Sequence, residues 1–171
     1  MRWIFIVLGC VVGFSSPASG QSNAELDYSD RVYLPNIMSV TLSVAGTPLA
    51  YPVVPLNGGN FPLILEFDDL DGDTKNYTYS IIQCDMDWQP SQLVQMEYID
   101  GFGEENIRDF QFSFKTTVAY THYTLAIPNN SMRWTKSGNY VLIVYEDEQD
   151  RIPAITRRFM VVDQRVEVNA E

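Results

Sequence analysis

The chain has 171 residues and carries 22 acidic against 11 basic side chains, a formal net charge of −11. That much negative charge argues against nucleic acid, anionic lipid surfaces and polyanionic substrates as partners. One histidine and two cysteines leave no second His to complete a catalytic or structural zinc site.

The first twenty residues read as a secretory signal peptide. Arg2 gives a short basic start, Trp3 to Phe14 form an apolar run, and Ser15 to Gly20 are small and polar. Ala18 and Gly20 then stand at the −3 and −1 positions of a cut before Gln21. The apolar run is too short to span a bilayer. A lipoprotein alternative uses Val7-Leu8-Gly9 before Cys10, but Leu8 is bulky and Val11, Val12 and Phe14 continue the apolar run. Cleavage after Gly20 leaves 151 of the 171 residues, enough for one domain with a core. It also removes Cys10, so Cys84 has no partner within the chain. On the apolar strand Ile81-Ile82-Gln83-Cys84, a free cysteine behaves as a small buried hydrophobe. Asp85 and Asp87 beside it raise a thiol pKa rather than lower it.

Residues 21–36 form an extended lead-in, and 37–163 the domain. Met38, Val40, Leu42 and Val44 alternate with Ser39, Thr41 and Ser43, which predicts a half-buried strand. Pro48 to Asn60 is a loop with a short edge strand near Tyr51 to Val54. Phe61, Leu63, Leu65 and Phe67 share the face of the next strand, and Asp68 to Asp73 reverses the chain through an Asp-Gly pair. Asn76 to Ser91 begins as an alternating central strand and ends in a polar turn bearing Trp88. Gln89 to Asp100 reads equally as a short helical turn or an irregular strand. Phe110, Phe112 and Phe114 alternate with Gln111, Ser113 and Lys115, which predicts a half-buried strand with Phe112 in the core, as Trp88 would also be. Tyr123, Leu125 and Ile127 repeat the pattern; Met132 to Lys136 pairs briefly; Tyr140 to Tyr145 is apolar on both faces, as mid-sheet strands are. Ile155 to Val162 is the last strong strand, and 164–171 read as the start of a linker or next domain. No apolar period of 3.6 is sustained. Short strands with turn signals between them predict an all-β, antiparallel, immunoglobulin-like β-sandwich, with a closed barrel as the alternative.

Chemistry is sparse. His122 lies mid-strand opposite Tyr123 and Leu125, with no G-x-S-x-G elbow in the chain to serve it. Asp68, Asp69, Asp71 and Asp73 crowd one turn, but an EF-type loop started at Asp69 has Thr74 in place of the glycine and Ser80 in place of the glutamate. A calcium site of another kind stands against a solvated hairpin turn. Asp85 and Asp87 resemble a glycosidase pair only in spacing. Trp88, Trp134, Tyr98, Tyr120 and Tyr123 suit either a sugar platform or the sandwich core.

Several segments together resemble the N-terminal domain of the type IX secretion system plug protein family of Bacteroidetes. They are Phe67-Asp68-Asp69-Leu70, Tyr77 to Asp85, Asp87-Trp88-Gln89-Pro90-Ser91 and Glu97 to Phe102, then Tyr120-Thr121-His122-Tyr123, Pro128-Asn129, Ser137 to Val141 and Thr156 to Val161. Members of that family are considerably longer, with further β domains. The resemblance implies a non-enzymatic periplasmic protein that closes the outer-membrane translocon barrel when no substrate fills it. It implies a protein partner, no cofactor, no membrane span and no small-molecule substrate. The alternative is a carbohydrate-binding sandwich of the cell envelope; an envelope hydrolase is remote. Candidate partner contacts are Asp85, Asp87, Trp88 and Gln89 in one turn and Tyr98 and Phe102 in the next loop, unless Trp88 and Tyr98 pack beneath their own loops.

Overall fold

The computed structural model describes residues 26–48, 50–57, 62–146 and 151–164. The signal segment, Cys10, Gly58-Gly59, most of the acidic run before Arg151, and Val166 and Val168 lie outside the described residues. Among the described residues twelve strands run β1 (Arg31–Val32), β2 (Ile37–Val44), β3 (Val53–Pro55), β4 (Leu63–Asp69), β5 (Tyr77–Cys84), β6 (Ile99–Gly101), β7 (Glu104–Asn106), β8 (Asp109–Phe112), β9 (Thr121–Ile127), β10 (Met132–Trp134), β11 (Gly138–Glu146) and β12 (Ile152–Val162). The larger sheet is ordered β1-β12-β11-β5-β7, with β3 added parallel to β12; the smaller is β2-β4-β9-β8. β6 and β10 form a two-stranded ribbon. The remaining pairings are antiparallel, and the fold is an immunoglobulin-like sandwich.

The two-residue period builds the core. Leu63, Leu65 and Phe67 of β4 and Tyr123, Leu125 and Ile127 of β9 turn inward in register, Leu65 opposite Leu125 and Phe67 opposite Tyr123. Phe67 and Tyr123 stack at 5.1 Å, and Tyr77 of β5 meets both edge-on. A second aromatic group stacks Tyr140 on Phe159 at 5.4 Å, with Trp134 beside it. Tyr140 to Tyr145 is buried on both faces, as its sequence requires. The outer face of that sheet carries Cys84, Val141, Ile143 and Tyr145 under Leu26, Tyr28 and Trp88. The lead-in is fastened there. The Tyr28 carbonyl accepts from Arg158 Nε at 2.7 Å, the Ser29 carbonyl from Thr156 Oγ1 at 2.6 Å, and Asp30 from the Arg158 amide at 2.7 Å.

Three expectations need correction. All four residues of β8 are exposed, with Phe112 59% and the following Phe114 80% exposed. Phe110 does share the inward side with Tyr123, its direct partner, but β8 is the last strand of its sheet and overhangs the core. Second, Met38 is exposed on β2, because Ser39 adopts a left-handed φ of 54° in a bulge that shifts the register between Met38 and Thr41. Third, Asp68 to Asp73 does not close a hairpin. β4 and β5 belong to different sheets, so the turn carries the chain across the sandwich.

Candidate functional site

The Asp85–Pro90 turn is built from its own polar groups. Asp85 Oδ1 accepts the amides of Asp87 and Gln89, both at 2.9 Å, while its main chain bonds Trp88 and Gln89. Trp88 takes a left-handed φ of 62°. This conformation turns the indole back onto the outer apolar cluster, where the Arg158 guanidinium covers it at 4.5 Å. Asn139 donates to the Asp85 carbonyl at 2.9 Å and ties the turn to β11. Asp85 is therefore a turn-former and Trp88 a half-buried cover. Asp87 and Gln89 project into solvent.

In the second loop Tyr98 is buried against Tyr140, so it packs beneath its own loop and offers no contact surface. Phe102 is 64% exposed. Gly101 holds a φ of 108°, and a Cβ there would collide with the Ser131 carbonyl, which accepts the Phe102 amide at 2.7 Å. Gln95 Nε2 donates to the Gly103 carbonyl at 2.9 Å and seats the short turn Gln95–Glu97 beside Phe102. Val94, Met96 and Phe102 are exposed along this loop, and Met86 is exposed in the Asp85–Pro90 turn. Sequence reasoning missed both methionines. The available signal was an apolar residue placed between acids, as in Asp85-Met86-Asp87.

The acid-rich crossover is organised by a lysine. Lys75 Nζ lies 3.3 Å from Asp69 and 3.0 Å from Glu146 and also pairs with Asp71. Asp69, fully buried, accepts from Asn36 at 2.7 Å, the Asp71 amide at 3.0 Å and Tyr77 Oη at 2.9 Å. Burial pushes the Asp69 carboxyl up, but the Asn36, Asp71 and Tyr77 hydrogen bonds outweigh it and hold it below its ordinary value. Burial likewise pulls Lys75 down, and its bonds to Asp71 and Glu146 raise it overall. The lysine ammonium stands where a calcium site would need its cation. Among the described residues no group of three or more acids, histidines or cysteines is arranged to hold a metal.

His122 Nδ1 is 2.7 Å from Asp68 on the outer face of the smaller sheet, its direct cross-strand partner. A cleft of about 310 Å³ opens elsewhere, beside β7, and is lined by Tyr79, Glu105, Arg108, Asp109 and Asn129 among others, without His122. Glu105 there is held by Arg108 at 2.8 Å. The sugar-platform aromatics are dispersed, with Trp134, Tyr98 and Tyr123 in the core. Cys84 is buried, and burial followed by the charge of Asp85 pushes its thiol up to about 11.

The family model of the type 9 secretion system plug protein 1st domain matches residues 37–163. Among solved structures, the chain is similar to a hypothetical protein from Parabacteroides merdae ATCC 43184, at 32% identity and a TM-score of 0.76. The match covers 81% of this chain and 35% of that one, so the chain spans about a third of that protein's length. No curated protein matches the chain.

Proposed function

The chain belongs to the type 9 secretion system plug protein first-domain family, and we propose that its part there is to close the outer-membrane translocon channel from the periplasmic side. Family membership supports a part in that secretion system, and the family is not a known enzyme family. The observation that carries the proposal is the family match over residues 37–163, which hold every strand from β2 to β12. The physical requirements of a stopper agree with it. Occlusion needs a rigid body and a complementary surface, and it needs no reaction. The two aromatic groups and the Lys75 network supply rigidity across both sheets. Among the described residues no helix is long and apolar enough to cross a membrane.

The contact surface we assign comprises Met86, Asp87, Gln89, Met96 and Phe102. Exposed methionines and an exposed phenylalanine on ordered loops are the side chains that gain most from being covered. An interface of ordinary specificity buries about 1,200–2,000 Å² in total, so these side chains are a part of it and not its whole extent. Export through the signal segment delivers the chain to the periplasm.

The test is affinity isolation of the tagged chain from envelope extracts of a type IX-secreting cell. The expected result is co-isolation of the translocon barrel, lost in a Met96→Asp, Phe102→Asp variant that keeps the wild-type melting midpoint. Enrichment of glycan without the barrel would contradict the proposal and favour the carbohydrate-binding reading.

A further inference from the structure

β8 combines two features that point to the same occupant. The first is its open main chain. Ser113 donates its amide to the Tyr120 carbonyl at 2.9 Å, in the same hairpin that pairs Gln111 with His122 and Asp109 with Thr124. Main-chain groups alternate in direction along an antiparallel strand. Asp109, Gln111 and Ser113 therefore face β9, while Phe110 and Phe112 turn their N–H and C=O groups to the other side. β8 is the terminal strand of its sheet, and among the described residues nothing pairs with that side.

The second feature is the overhanging aromatic row. Phe110 and Phe112 lie edge-to-face at 5.7 Å, and Phe110 continues inward to Tyr123 at 5.8 Å. Phe112, Phe114 and Val118 are 59%, 80% and 58% exposed. This is the core side of the smaller sheet continued past the strands that would cover it. Open edges of this kind are commonly shielded by proline, by inward charge or by a covering loop, and β8 contains no proline.

We propose that β8 pairs antiparallel with β8 of a second copy of this chain, about a two-fold axis through Phe112. The residue pattern around that axis is self-complementary. Phe112 meets its own copy and Phe110 meets Phe114, so all six phenylalanines of the two rows fall on one face. Asp109 of each copy comes opposite Lys115 of the other, an acid beside a base at both ends. Lys115 holds a left-handed φ of 57° just beyond the strand and rests its ammonium 5.0 Å from the centre of the Phe114 ring; on pairing, its flexible stem swings from that ring to Asp109 of the second copy. Phe110 and Phe112 offer the outward main-chain groups that such a register needs. The two smaller sheets then join into one of eight strands, four from each copy. A two-fold contact is closed, so association stops at two. This strand shares no residue with the contact surface assigned to the translocon, so failure of either proposal leaves the other standing.

Sedimentation equilibrium of the purified chain from about 10 µM to about 500 µM tests it. The expected result is a monomer–dimer equilibrium with no larger species. Phe112→Lys should leave a monomer of unchanged melting midpoint, because Phe112 lies outside the core. Asp109→Lys should weaken the dimer by about tenfold, and adding Lys115→Asp should restore it. A monomer at every concentration, a dimer indifferent to Phe112→Lys, or an open-ended series of oligomers would each overturn the proposal.

Discussion

Asp69 shows how a buried charge is kept in this domain. It has no solvent exposure, yet its carboxyl is surrounded by Asn36, the Asp71 amide, Tyr77 and Lys75. Because its folded pKa lies below the ordinary value of 3.8, it contributes stability above that value. The contribution is lost as pH falls through the folded pKa. Replacing it by Asn should cost about 1–3 kcal/mol at neutral pH. Urea midpoints measured at about pH 7 and about pH 2.5 should show the gap between wild type and Asp69→Asn narrowing in acid. An equal gap at both would contradict the assignment. The aspartate cluster was plain in the sequence; its role was not. Hard oxygen ligands in one turn suggest calcium, and only the fold shows that Lys75 supplies the positive charge.

At the scale of strands, period two located the longer strands β2, β4, β5, β8 and β9 but not the two- and three-residue strands β1, β6 and β7, and it failed where a strand's neighbours decide burial. Phe110, Phe112 and Phe114 have the same alternation as Leu63, Leu65 and Phe67. The difference lies in sheet order. β4 sits between β2 and β9, whereas β8 ends its sheet. Nothing local in the chain encodes that. The prediction for Phe112→Ala follows the structure: a change within about 0.5 kcal/mol, as for other surface sites. Phe159→Ala, fully buried between Tyr140 and Trp134, should cost about 3–5 kcal/mol and leave a domain of ordinary stability close to unfolding. Chemical denaturation of the two variants side by side checks both. Similar losses would mean that β8 packs into the core. The candidate contact turn was legible as a turn, from Asp85, Asp87 and Pro90. The inward rotation of Trp88 was not, since it depends on a left-handed backbone and on Arg158, seventy positions away in sequence.

For the whole molecule, the family match and the sandwich agree: residues 37–163 match the plug first-domain family and fold as one two-sheet body. His122, the Glu105 cleft and the Asp85 turn are separate places, and His122, Glu105 and Asp85 are each held by a structural partner. The proposed role draws on shape and exposed side chains. Resemblance of ordered segments across the chain reached the family from sequence; which residues face outward needed the fold, because Tyr98 and Phe102 are equally apolar and only one is buried. The central claim, that this body closes a channel, is tested most directly by entry of a large antibiotic that intact outer membranes exclude. Cells lacking the protein but retaining the translocon should become sensitive, and restoring the wild-type protein should return resistance, while the Met96→Asp, Phe102→Asp form should not. Unchanged exclusion in the deletion strain, with the translocon present and unoccupied, would contradict the account.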